Sequence, residues 1–175
     1  MSQLSTKRLT KELKDLKDKG CPAGMISQLA GITLLESDDL RKWTFELEAY
    51  DSIYQGEKFA LMFRFSDQYP IDSPAVQFIV NNTKGYLSPV HPHIYSNGHS
   101  ADILQDLRFY SLRWLESSFE VSGFLNLTRH TETTQCSCML TSCKSKERPP
   151  DNDGYVARAP ENPKKTRWEF HDDSV

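Results

Sequence analysis

Three histidines, His91, His93 and His99, fall within nine residues, together with Pro92 and Gly98. Imidazole donates or accepts hydrogen bonds near neutral pH and ligates metals. The stretch from Val90 to Leu104 is therefore the part of the chain best equipped for chemistry. It follows neither a helical nor a strand period, so an ordered loop is expected. Loops held on a rigid scaffold are where sites are commonly built. The plain alternative is a polar surface loop whose histidines have no task, and zinc-dependent hydrolysis is a third reading. The four cysteines are Cys21, Cys136, Cys138 and Cys143. The last three cluster with His130, but Cys-x-Cys followed by a lone cysteine is not a standard zinc spacing. No metal site is expected.

The elements that must hold this loop come before it. Leu9, Leu13 and Leu16 recur at helical spacing, with Lys7, Arg8, Lys11, Lys14 and Lys17 on the outer face. An amphipathic helix ending near Lys19-Gly20 is expected. Its basic face is either a solvated surface or a docking face for an acidic partner. Cys21-Pro22-Ala23-Gly24 reads as a turn. A short apolar run, Ile32 to Leu35, leads into a polar turn expected at Glu36 to Asp39. Trp43, Phe45 and Leu47 alternate with Thr44, Glu46 and Glu48, which describes a half-buried antiparallel strand. After a turn at Gln55-Gly56-Glu57, Phe59, Leu61, Phe63 and Phe65 repeat the alternation. Two prolines make Tyr69 to Pro74 a rigid link rather than a central strand. Ala75 to Val80 is a further strand. A helix set against consecutive antiparallel strands is an α+β arrangement.

The length of 175 residues suits one domain with one sizeable core. The chain is 38% apolar and 26% charged, ordinary for a soluble protein, and its net charge of -3 gives no reason to expect nucleic acid or an acidic membrane as partner. No apolar run approaches bilayer length. The first eight residues lack the apolar region of a secretory signal, so a cytoplasmic or nuclear protein without a disulfide framework is expected.

The order of motifs then resembles the core of ubiquitin-conjugating enzymes. The residues concerned are Tyr54-Gln55-Gly56-Glu57-Lys58-Phe59, Phe63-Arg64-Phe65, Tyr69-Pro70-Ile71-Asp72-Ser73-Pro74 and His91-Pro92-His93-Ile94-Tyr95-Ser96-Asn97-Gly98-His99. The family commonly has His-Pro-Asn, and histidine in the third place, at His93, resembles the W-type branch. So do Ser142-Cys143-Lys144, Arg148-Pro149-Pro150-Asp151-Asn152, Tyr155-Val156, Asn162 to Thr166, Trp168 and His171-Asp172-Asp173. The likeness covers residues 3–99 and 139–175.

The resemblance implies a fold: an N-terminal helix, a four-stranded antiparallel meander and a C-terminal helical part. It implies a core over 1–148 and a polar tail over 149–175, mobile near the active face and able to admit flexible substrate N-termini. It also implies an activity. Ubiquitin is taken as a thioester on a cysteine and passed to protein amines, in the W-type branch favouring the N-terminal α-amino group. The implied partners are ubiquitin, the ubiquitin-activating enzyme, RING or U-box ligases, and substrate N-termini. No cofactor is implied, since ATP is used by the upstream activating enzyme. Lys7, Arg8, Lys11 and Ile71 correspond to the surface presented to activating enzyme and ligases. His91 and Pro92 hold the loop's shape, and His93 orders it or donates to the tetrahedral oxyanion.

One departure bears directly on activity. The acceptor cysteine of the family falls at Ala101, or at Ser100 with a one-residue deletion, and neither is a thiol. A thiolate is the nucleophile in this chemistry; alanine accepts no acyl group, and a serine ester is a far poorer donor. Residues 105–138 carry no motif of the family, and the Trp-Ser-Pro-Ala loop is absent. Two alternatives to an active enzyme follow. One is a catalytically inactive variant acting as a binding module; the other is a mis-spliced form of an active enzyme. Cys136, Cys138 and Cys143 are not expected to take over the acceptor role, and Cys143 is expected to lie distant from the histidine loop.

Overall fold

A computed structural model describes residues 2–19, 32–49, 52–100, 140 and 142–166. The interval 105–138, with His130, Cys136 and Cys138, lies outside the described residues, as do Cys21, Ala101, Trp168 and Phe170.

Helix α1 spans Gln3–Lys19. Four strands follow: β1 (Ile32–Asp39), β2 (Lys42–Glu48), β3 (Lys58–Arg64) and β4 (Ala75–Phe78). They form one antiparallel sheet in the order β1-β2-β3-β4. The alternation of the sequence produces this sheet directly, because successive side chains of a strand point to opposite faces. The register places Leu34 opposite Phe45, Phe45 opposite Leu61, and Leu61 opposite Phe78, one apolar row across all four strands. Leu9 of α1 is fully buried in the core beneath, with Leu13 and Leu16 partly buried beside it. Edge-to-face ring pairs, Trp43 with Phe65 and Phe45 with Phe63, fix the aromatic part of this core.

Two strand boundaries differ from expectation. Glu36 to Asp39 is not a turn but the second half of β1, and the reversal comes at Leu40-Arg41. Register shifts between Leu34 and Glu36 and between Glu36 and Asp39 mark the irregularity. An edge strand leaves polar side chains in water on both faces, so these residues pair without loss of solvation. β4 ends at Phe78 rather than Val80. The Phe78 N–H turns to the Gly98 carbonyl at 2.9 Å, and the Ile79 N–H makes one further bond to Ala60 at 2.7 Å. The end of β4 is thereby committed to the histidine loop.

Within the segment expected as a tail over 149–175, the described residues 149–166 make specific contacts with the fold. A short helix, α2 (Asn152–Val156), and a 3-10 turn at Pro163–Lys165 lie in it. The Asn162 side chain accepts the Lys164 N–H at 3.0 Å and starts that turn. The Lys164 ammonium pairs with Asp72 and donates to the Ser73 carbonyl at 2.7 Å, which ties the turn to the link before β4. Arg64 of β3 meets Glu161 at 2.9 Å. Specific polar pairs, rather than apolar periodicity, hold this segment, so a pattern search for hydrophobic spacing passes over it.

Phe63 is 1% exposed and centrally placed between β2 and β4. Phe63→Ala is expected to lower unfolding free energy by about 3–5 kcal/mol. Glu48→Ala on the opposite face should change it by less than about 0.5 kcal/mol. Urea denaturation of both variants checks the assignment of the two faces.

Candidate functional site

The loop begins where Ser88 and Pro89 are buried against the core. Two side chains from elsewhere bind its first limb. The Tyr54 hydroxyl donates to the Val90 carbonyl. Arg148 donates to the Ser88 carbonyl at 2.9 Å, the Pro89 carbonyl at 2.6 Å and the Ser88 hydroxyl at 3.1 Å. The same guanidinium reaches across to the Ile94 carbonyl at 3.0 Å. Burial pulls the Arg148 pKa below its ordinary value. Burial, aided by the Cys143 sulfur, pushes the Tyr54 hydroxyl well above the usual phenol range, so it serves as a donor.

The tip of the loop is a turn closed by the Ile94 N–H to the His91 carbonyl at 3.1 Å. His91 is buried, and its Nδ1 accepts the His93 N–H at 3.0 Å. In the neutral ring that bond places the proton on Nε2. Pro92 is half-buried, and His93 is exposed. The two imidazole rings meet edge-on at 5.4 Å. His91 therefore shapes the turn, whereas His93 presents its ring outward, where an N–H can be offered to a developing negative charge.

The second limb returns to the sheet. The Gly98 N–H donates to the Tyr95 carbonyl at 2.9 Å, and the Tyr95 N–H donates to the His99 carbonyl at 2.9 Å. Gly98 has φ of +87°, and a Cβ there would lie 2.1 Å from the Phe78 carbonyl oxygen. No side chain fits at that contact. His99 is buried, and its Nδ1 lies 2.8 Å from the Tyr155 hydroxyl, which in turn lies 3.1 Å from Thr166 Oγ1. Burial depresses the His99 pKa, the Arg64 cation depresses it further, and the backbone at Glu161 opposes both. Tyr155 also stacks on Tyr95 with centroids 3.9 Å apart, and the Ser96 N–H donates to Asn152 Oδ1 at 2.8 Å.

The acceptor position remains without a thiol. Ser100 is fully buried, and its Oγ has no hydrogen-bond partner among the described residues. A serine without a neighbouring base is not activated for acyl transfer. Cys143 lies closer to the loop than its sequence position suggested. It is half-buried, with its sulfur 3.5 Å from the Tyr54 hydroxyl and its thiol donating to the Ser145 carbonyl at 3.1 Å. Through Tyr54 it is connected to the start of the loop, whereas the acceptor position lies at its end. Among the described residues no cluster of His, Cys, Asp or Glu is arranged to hold a metal ion.

A buried carboxylate joins α1 and the 69–74 link. Glu12 is 5% exposed, receives Arg8 Nε at 2.9 Å and accepts the Tyr69 hydroxyl at 3.1 Å. Arg8 is thus turned inward, while Lys7 and Lys11 stay exposed and Ile71 is 70% exposed. The structural roles of Tyr54, His99, Arg148 and Tyr155 were not read from the sequence, although all four stand in the motifs that carried the resemblance. The available signal was chemical: a proline-rich irregular loop leaves carbonyls without ladder partners, and a cation or hydroxyl elsewhere must supply donors.

A family model described as ubiquitin-conjugating enzyme matches residues 8–153, a range that spans 105–138. A probable ubiquitin-conjugating enzyme E2 W-A of Danio rerio is 39% identical over 169 residues, 96% of each chain. A probable ubiquitin-conjugating enzyme E2 W of Dictyostelium discoideum is 40% identical over 178 residues, covering 100% of both. Among solved structures, the ubiquitin conjugating enzyme E2 UbcA1 from Agrocybe aegerita is similar at TM-score 0.70 and 42% identity, over 93% of this chain and 99% of that one.

The depressed pKa of His99 has a definite consequence for stability. The folded state favours the neutral ring, so between the folded and unfolded values the unfolded chain binds more protons. The contribution is complete above the ordinary value of 6.5 and is lost as pH falls below it. Between about pH 7.5 and 5.5 the denaturation midpoint should fall more steeply for the native chain than for His99→Gln. Equal slopes for the two would show that His99 is not held neutral.

Proposed function

Because the chain belongs to the ubiquitin-conjugating enzyme family, in its W-type branch, we propose that its scaffold serves the passage of ubiquitin to protein amines, favouring the N-terminal α-amino group, and that the chain as written is a non-charging form. Ubiquitin, an activating enzyme and ligases are the partners that the family implies. The substrate N-termini, and a site of action in the cytoplasm or nucleus, are part of the proposal.

In the family reaction an amine attacks the thioester carbonyl carbon. The oxyanion forms, the thiolate leaves, and the amine loses a proton as the amide is made. Two parts of that apparatus fit this chain. The exposed His93 ring at the turn tip supplies an N–H donor. Lys7, Lys11 and Ile71 give α1 and the adjoining link an exposed basic and apolar surface suited to an activating enzyme or ligase. The acceptor itself is what the chain lacks. The observation that carries the non-charging reading is the sealed Ser100 hydroxyl at the end of the loop, with alanine as its next neighbour.

With activating enzyme, ATP and ubiquitin, the chain is expected to form no reductant-sensitive adduct. Replacing residues 100–138 by the corresponding segment of a W-type relative should restore charging, followed by transfer to a peptide with a free N-terminus and not to its acetylated form. An adduct on the unmodified chain that disappears with reductant overturns the non-charging reading, and single serine replacements at Cys136, Cys138 and Cys143 would locate it.

Docking is tested separately. Weak binding to RING or U-box ligases is expected, and Lys7→Glu with Lys11→Glu should abolish it in a calorimetric titration. Unchanged affinity in the double variant assigns docking to another surface.

A further inference from the structure

Near the base of the histidine turn one direct bond joins the two limbs, from the Ser88 hydroxyl to the Tyr95 carbonyl at 2.9 Å. Ser88 and Pro89 lie on one side and Ile94 and Tyr95 on the other, and further bonds that span the gap come from Arg148. Its Nη1 contacts the Pro89 and Ile94 carbonyls at 2.6 and 3.0 Å, on opposite limbs, while Nη2 takes the Ser88 carbonyl at 2.9 Å. A planar guanidinium has donors fixed in a fork, so it sets both the separation and the relative angle of the groups it joins. A lysine ammonium in the same place is a point donor on a flexible stem.

We propose that Arg148 is a positioning residue of the site: it fixes the spacing of the two limbs and thereby aims His93. Above the clip, the turn carries one reporter of its own shape, the bond from the His93 N–H to His91 Nδ1 at 3.0 Å. That bond persists only while residues 91 and 93 keep their mutual orientation, which the limbs below determine. The inference deepens the proposed function by naming what shapes the turn at which transfer would occur. Its own geometry does not depend on whether the chain charges.

The test uses the full chain without ubiquitin, so that its failure is distinct from a failure to charge. Imidazole nitrogen NMR of the native chain above pH 7 is expected to show His91 as a single neutral tautomer protonated at Nε2. Arg148→Lys keeps the charge but not the fork. It should give a mixture of His91 tautomers, and amide exchange at His93 and Ile94 should accelerate about tenfold or more. Leu16→Ala, a core change in α1, controls for lost stability alone and should leave both signals in place. Native His91 nitrogens and native exchange at His93 and Ile94 in Arg148→Lys would overturn the proposal. So would equal changes in Leu16→Ala.

Discussion

Backbone carbonyls that leave regular pairing and enter a protein interior have to find donors, and in this chain the donors come from far along the sequence. Ser88, Pro89, Val90 and Ile94 are served by Arg148 and Tyr54, not by a neighbouring strand. A half-buried guanidinium would be costly if left alone, but three carbonyls and a hydroxyl replace its water. Arginine keeps its proton under such conditions. The arrangement converts an irregular segment rich in proline and histidine into one defined shape.

The other limb of the loop is held by a different kind of contact. Gly98 comes so close to the Phe78 backbone that no side chain can be placed there, which locks the loop to the end of β4. Around it, Tyr95, His99 and Tyr155 form a compact polar and aromatic group. His99 is buried beside the Arg64 cation, and both circumstances favour the neutral ring. Tyr155 and Asn152, which belong to α2, complete this group. The segment 148–166 is therefore structurally part of the site even though it begins 70 positions after Phe78, the last residue of β4.

Between α1 and the link before β4 the same economy of contacts recurs. Glu12 satisfies Arg8 within α1 and Tyr69 in the link before β4, so a single carboxylate fixes the helix against the link. Removing one partner of such a buried charged group leaves the others uncompensated. The exposed cations Lys7 and Lys11 and the exposed Ile71 are carried on the two elements so joined. A surface made of one helix and one loop keeps its geometry only if the two cannot slide.

The sequence by itself determined α1, β2 and β3, because their apolar residues recur at the periods of helix and strand, and those periods are local. It also determined the position and irregularity of the histidine loop and the absence of a thiol at Ser100 and Ala101. It misplaced the end of β1, where polar residues that read as a turn remain paired because an edge strand keeps them in water. It described 149–166 as tail, because single polar pairs leave no periodic trace. Only the tertiary structure decided that Arg8 turns inward, that Tyr155 meets His99 and that Arg148 joins the limbs of the loop. Each of these last two contacts links residues more than fifty positions apart. Periodicity reports which face of an element is buried; it carries no information about which distant side chain meets a given carbonyl, and that is set by how the elements stack in space.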